Sequence, residues 1–192
     1  MVAFVRCSPG LRDERRAVAR RVWLSMRLIV PRWYAVASVK WLTEIELIDR
    51  TFSGHYQGDK YRYGWEREGW IVSEPVTLHR VRALITEPWP NTEVRSGELA
   101  IRGVAWSGAA PIARVEVSVN GSGWQEALLV SERNRYSLQW WELITRMEKA
   151  DDLSFSALVR PIFAGRPQPE RSEWNRLRYG NNAIQEESIR VS

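Results

Sequence analysis

From Val81 onward, apolar and polar positions alternate along the chain with a period of two. Val81, Ala83 and Ile85 alternate with Arg82 and Leu84, and Leu99 and Ile101 alternate with Ala100 and Arg102. Val115, Val117 and Val119 alternate with Glu116 and Ser118, and Leu153, Phe155, Ala157 and Val159 with Ser154, Ser156 and Leu158. Each run reads as a strand that packs one face against a core. Asn120-Gly121 supplies the two residues a tight hairpin needs at positive φ, with Trp124 to Val130 as the return strand. Pro88-Trp89-Pro90-Asn91 marks a turn, and Gly103 a bulge before Val104 and Trp106. Tyr136, Leu138 and Trp140 lead into Trp141-Glu142-Leu143, and Ile184, Ile189 and Val191 suggest a last strand. Short strands, frequent turn signals and no long helical period predict a mainly β chain, an immunoglobulin-like antiparallel β-sandwich of the E-set type.

The first 75 residues follow a different pattern. Val18, Val22 and Met26 recur at helical spacing, so residues 13–26 suit a short basic amphipathic helix in a leader otherwise without order. Leu28-Ile29-Val30 reads as a short strand closed by Pro31. Residues 53–70 are rich in Gly, Tyr and Trp with neither period, which reads as a long loop pinned by its rings.

Charge changes this picture only at the start of the chain. The 192 residues carry 28 Lys and Arg against 23 Asp and Glu, a formal charge of +5. Residues 1–32 hold eight arginines against Asp13 and Glu14, while the other 160 residues carry 20 basic and 21 acidic groups. The body therefore has no basic stripe of the kind that binds nucleic acid, and no nucleic-acid partner is expected. No apolar run reaches the length of a membrane span and no clean secretory signal is present, so the expectation is a soluble chain of unknown compartment. A single cysteine, Cys7, excludes an internal disulfide framework and a cysteine-based metal site.

Four segments resemble the sulfite-oxidase-type molybdopterin oxidoreductases. They are Arg27-Leu28-Ile29-Val30-Pro31 running into Ser38-Val39-Lys40-Trp41-Leu42; Ile101-Arg102-Gly103-Val104-Ala105-Trp106-Ser107-Gly108 with Val115 to Ser122; Trp140-Trp141-Glu142-Leu143; and Pro167-Gln168-Pro169 leading to Trp174-Asn175 and Gly180-Asn181-Asn182-Ala183. They stand in family order and near family spacing. The resemblance implies three regions: residues 1–26, a basic leader outside the family; 27–75, the C-terminal remnant of a molybdopterin-binding domain of α+β type; and 76–192, an immunoglobulin-like dimerisation domain. It implies a molybdenum-molybdopterin cofactor whose phosphate end meets Arg27, Ser38, Val39 and Lys40. An ammonium and oriented backbone amides suit a phosphate, and the guanidinium fork of Arg27 suits phosphate or pterin acceptors.

Departures from the family pattern matter as much. Val22-Trp23-Leu24-Ser25-Met26-Arg27 replaces the family's His-Gly-x-Pro-x-Arg, and the region carrying the molybdenum-ligating cysteine has no counterpart. Residues 1–26 thus read as a shifted frame or alternative start joined to a genuine C-terminal segment. No catalytic residue and no metal ligand is assigned, and whether the chain is an enzyme stays open. Where relatives place an oxyanion-facing arginine after Trp-Asn, this chain has Leu177, flanked by Arg176 and Arg178 as the candidates for binding a small oxyanion in the full-length relative. Arg32 and Arg178 stand where relatives often carry glycine, which strains the backbone if positive φ is required. The function expected is the C-terminal portion of a molybdenum-cofactor oxidoreductase, homodimeric through the sandwich, inactive alone and not retaining the cofactor. The alternative is a non-enzymatic immunoglobulin-like interaction module.

Overall fold

The computed structural model describes residues 2–7, 27–132, 137–161 and 167–192. The expected helix over 13–26 and Tyr136 lie outside these residues. The chain divides into two compact units, Met1–Thr77 with Trp174–Tyr179, and Leu78–Glu173 with Gly180–Ser192.

In the first unit, β1 (Val2–Cys7) pairs antiparallel with β2 (Leu42–Ile48), setting Val2 opposite Ile48 and Cys7 opposite Leu42. This departs from the expectation of a leader that is unordered or helical. Over residues 2–7 the β preference of a Val-Ala-Phe-Val run prevails. Leu28-Ile29-Val30 is not a strand. An isolated antiparallel bridge joins Arg27 to Lys40, the Leu28 N–H donates to the Val39 carbonyl (2.9 Å), and the chain then turns at once. Pro31 supplies the first central position of that turn and Arg32, at φ 70°, the second, closed by the Trp33 N–H on the Val30 carbonyl.

The aromatic stretch 53–70 is also more ordered than a loop. One wide helical turn, Tyr56–Lys60, leads into a hairpin of β3 (Arg62–Arg67) and β4 (Trp70–Pro75), joined by Glu68 and Gly69 at φ 52° and 80°. Those angles match the right-handed twist of a two-residue hairpin turn. Tyr63 is buried and its ring stacks on that of Trp65 two residues along the same strand face (5.3 Å between centroids), while every residue of β4 is exposed.

The second unit is mainly β, as the alternation predicts. Its strands are β5 (Arg82–Glu87), β6 (Glu93–Val94), β7 (Gly97–Trp106), β8 (Ile112–Val119), β9 (Trp124–Leu129), β10 (Gln139–Met147), β11 (Ala150–Pro161) and β12 (Gln185–Val191). They form one sheet in the order β5-β7-β10-β9-β8-β11-β12-β6. The sheet curls at β9, whose first residues pair with β8 (Ala127 opposite Val115) and whose last pair with β10 (Leu129 opposite Trp141). The halves thereby face one another, with β11 and β12 packed over β5. Between them lie Ala83, Ile85, Ile101, Ala105, Trp141 and Leu143 from one side and Val115, Val117, Phe155, Ala157 and Ile189 from the other. This is the immunoglobulin-like sandwich the valine alternation predicts.

The β8–β9 hairpin turns through Asn120 and Gly121 at φ 48° and 68°, and Asn120 is further held by its Oδ1 accepting from the Ser154 N–H (2.8 Å). Gly103 does not carry a bulge. It stays in register between Ile85 and Trp141, and the irregularity falls on the neighbouring strand between Ile85 and Glu87. Glycine is needed there for a different reason: a Cβ at 103 would overlap the Leu84 carbonyl and the Trp141 indole.

The free edge of β5 is closed by side-chain amides. The Ala83 N–H donates to Gln168 Oε1 (2.8 Å) and the Ile85 N–H to Gln185 Oε1 (3.1 Å), while Asn182 Nδ2 donates to the Val81 carbonyl (3.1 Å). Unpaired edge groups invite another chain, and here Gln168, Asn182 and, from the start of β12, Gln185 satisfy them from within.

Candidate functional site

Lys40 and Val39 line a cavity of about 560 Å³ in the first unit, together with Trp41, Phe52, His55, Tyr56, Gln57 and Tyr61. Lys40 is bridged antiparallel to Arg27, and partners in such a bridge project their side chains to the same side, so the two cations share one face, although Arg27 is not among the residues that line the cavity. Among the described residues no carboxylate pairs with Lys40. Ser38 does not line the cavity. Its N–H donates to the Ala35 carbonyl (3.0 Å) and its Oγ accepts from the Val30 N–H (3.3 Å), closing the turn that presents Val39 and Lys40. Arg27 and Trp41 are exposed and Tyr34 is half-buried.

Arg176 and Arg178 lie in a second part of the same unit. Asn175 is buried and fixes this segment: its Nδ2 donates to the Tyr179 carbonyl (2.8 Å), its Oδ1 accepts from the Tyr179 N–H (3.2 Å), and its own carbonyl accepts from the Arg178 N–H (2.9 Å). The Arg176 N–H donates to the Gly64 carbonyl (2.9 Å), tying the segment to β3. The Tyr179 ring packs against Tyr61 (5.7 Å), which in turn meets Tyr56 (6.1 Å). Tyr61 and Tyr56 also line the Lys40 cavity, so an aromatic ladder runs from its rim to the arginine segment. The structure thus brings Val39 and Lys40 to one cavity, while Ser38, Arg27, Arg176 and Arg178 are not among its lining residues and the three arginines are exposed.

The aromatic wall was legible only as composition. Tyr56 and Tyr61 sit in the segment read as a loop, and nothing in their spacing pairs them with Lys40. Arg178 stands at φ 58° and Arg32 at 70°, so both occupy the left-handed region that disfavours a side chain. Arg178→Gly is expected to raise stability by about 1 kcal/mol, seen as a rise of roughly 2–4 °C in Tm by calorimetry. An unchanged or lower Tm would show that the Asn175 bonds already absorb the strain.

The sandwich has a second cavity, of about 460 Å³, that sequence reasoning did not single out. His79, Arg80, Ser107, Arg171, Glu173 and Asn182 are among its walls. Burial lowers the His79 pKa below the usual imidazole value, favouring the neutral ring, and Arg80 donates to the Gly180 carbonyl (3.2 Å). On the outer face of the sheet, Arg102 bonds Glu142 and Glu87 (2.5 and 3.0 Å). These carboxylates, Glu142 first, raise the guanidinium pKa.

Residues 74–184 match the family model of the Mo-co oxidoreductase dimerisation domain, and residues 24–56 that of the oxidoreductase molybdopterin binding domain. The chain belongs to the sulfite-oxidase-type molybdopterin oxidoreductase family, and the region it represents is the dimerisation domain with part of the cofactor domain ahead of it. The second match begins at residue 24, three residues ahead of the expected family boundary. Mitochondrial sulfite oxidase of Rattus norvegicus is 30% identical over 129 residues, covering 62% of this chain and 24% of that protein. The Homo sapiens enzyme is 32% identical over 126 residues, covering 62% and 23%. The chain therefore spans about a quarter of the length of these relatives. The sulfane dehydrogenase SoxCD of Paracoccus pantotrophus superposes over 86% of this chain and 46% of its own, with a TM-score of 0.72 and 25% identity. Among the described residues no helix is long and apolar enough to cross a membrane.

The cavity suits the phosphate end of the family's cofactor. An ammonium without a carboxylate partner and a guanidinium on the same face favour an anionic group, and walls of Trp41, Phe52, Tyr56 and Tyr61 favour a flat heterocycle next to it.

Proposed function

We propose that this chain acts as the C-terminal portion of a molybdenum-cofactor oxidoreductase, supplying the dimerisation sandwich and the phosphate end of the pterin site, and that it does not turn over alone. The observation that carries this reading is Lys40, unpaired by carboxylate and facing an aromatic-walled cavity within the segment matched to the cofactor-binding domain. When bound, the cofactor supplies the metal centre for oxygen-atom transfer. The chain's own part is to hold the phosphate through Lys40 and Arg27, while Ser38, whose N–H and hydroxyl close the preceding turn, keeps Val39 and Lys40 presented to the cavity. Arg176 and Arg178 face outward beside Leu177 and supply the cation for a small oxyanion, so the preference for that oxyanion differs from that of the sulfite oxidases.

The test is pterin fluorescence and molybdenum analysis on the purified chain, followed by titration with isolated molybdopterin. The expected result is little cofactor retained as purified, measurable binding of added molybdopterin, and an affinity roughly tenfold weaker for Lys40→Met. Stoichiometric molybdenum with turnover by the chain alone would overturn the inactivity, and equal affinity of wild type and Lys40→Met would overturn the site. The reading as a non-enzymatic dimerisation module is favoured by one feature, the apolar outer face of the sandwich, and complete failure to bind molybdopterin selects it.

A further inference from the structure

The cavity of about 460 Å³ in the sandwich unit is walled by three separate stretches of chain. Residues 78–81 lead into β5, residues 107–110 link β7 to β8, and residues 167–173 with Asn182 precede β12. Hydrogen bonds tie these stretches together. The Gly108 N–H donates to the His79 carbonyl (2.8 Å) and Asn182 Nδ2 to the Val81 carbonyl (3.1 Å). The Ile184 N–H seats the third stretch by donating to the Pro169 carbonyl (3.0 Å). The walls are therefore pre-formed, and the volume falls in the range of small-molecule sites.

The lining combines an apolar majority with a small charge excess. Leu78, Val81, Ala109, Ala110, Pro167 and Pro169 are apolar, while Arg80 and Arg171 stand against Glu173, two cations to one anion. Burial favours the neutral His79 ring, which offers an N–H donor without adding charge. Arg80 is held by its bond to the Gly180 carbonyl (3.2 Å). Arg171 is exposed and makes no hydrogen bond or ion pair with another described residue. A planar guanidinium takes a carboxylate through two parallel bonds. A dianion such as phosphate would exceed the single net positive charge and meet Glu173, and a cation would meet both arginines.

We propose that this cavity binds a small organic monocarboxylate, its charged end on Arg171 and its apolar body against the alanines and prolines. None of these residues takes part in the phosphate role proposed for Lys40, so the two readings stand or fall separately.

The chain's two histidines make the test direct. His79 lines this cavity and His55 the Lys40 cavity, so each imidazole reports on one of them. The experiment is titration of the whole chain with benzoate, followed by NMR of the imidazole protons, with His55→Gln assigning the two signals. Benzoate is expected to move the His79 signals saturably, with a Kd on the order of 1 mM. Benzamide lacks the charge, acetate lacks the apolar body and inorganic phosphate carries the wrong charge, so each should bind at least about tenfold more weakly. Arg171→Gln should weaken benzoate by about tenfold as well. A His79 signal unmoved at about 20 mM benzoate, or a response confined to His55, overturns the site. Equal affinity for benzamide overturns the need for an anion, and equal affinity for phosphate overturns the carboxylate class. Phenylglyoxal modification of the unmutated chain, read by peptide mass spectrometry, covers the case of a variant that does not fold. Benzoate should protect Arg171 from the reagent, and an unchanged modification rate overturns its role.

Discussion

Gly103→Val is expected to destabilise the sandwich by at least about 3 kcal/mol. The reason lies in how three strands meet. β7 runs between β5 and β10, and Gly103 sits opposite Ile85 on one side and Trp141 on the other. The Trp141 indole lies over the glycine at 1% exposure, filling the space a side chain would otherwise take. A Cβ there meets the Leu84 carbonyl as well, which belongs to the backbone and cannot rotate away. Relief therefore requires either parting β5 from β7 or expelling the largest ring of the core. Overpacking of this kind is costly even when flexible side chains absorb it, and a rigid neighbour makes it worse. Urea denaturation followed by near-ultraviolet circular dichroism should show a midpoint lower by more than about 1 M. Gly64→Ala is the control, because its Cβ would stand 3.6 Å from Arg176 Cβ, an ordinary contact. Equal midpoints for Gly103→Val and wild type would mean that Trp141 has another rotamer available.

The same glycine shows where sequence reading reaches its limit. Its presence in a strand was legible as a sign of special backbone, but a bulge and a close approach leave the same letter in the sequence. Which one applies depends on the partner strand, and the bulge in fact falls on β5. The sandwich was legible because one face of each strand packs against a core, which imprints a period of two on Val115, Val117, Phe155 and Ala157. The β3–β4 hairpin was not, because every residue of β4 is exposed and its two-residue turn uses Glu68, which carries no turn signature. Lys40 stood out only through its resemblance to a family motif; its aromatic surroundings come from residues that approach it through the fold.

Gln168 carries the other large expectation. Its side chain is 1% exposed and makes two bonds, accepting from the Ala83 N–H at 2.8 Å and donating to the Ala183 carbonyl at 2.9 Å. It thus joins the open edge of β5 to the segment entering β12. Gln168→Leu keeps nearly the same volume and removes both bonds at once, leaving a buried donor and an acceptor with no replacement. Each orphaned group costs about 1–3 kcal/mol, so a loss of about 3 kcal/mol is expected by thermal or chemical denaturation. The loss should be local before it is global. Amide exchange at Ala83 and Ile184 should quicken first, because the Ile184 N–H bonds the Pro169 carbonyl (3.0 Å) and depends on the same segment staying seated. Gln168→Glu separates the two bonds: a carboxylate still accepts from Ala83 but cannot donate to Ala183, so near neutral pH it should retain protection at Ala83 and lose it at Ile184. If both amides keep wild-type exchange in Gln168→Leu, the edge of β5 is held by Gln185 and Asn182 alone, and Gln168 is not the clamp its geometry makes it.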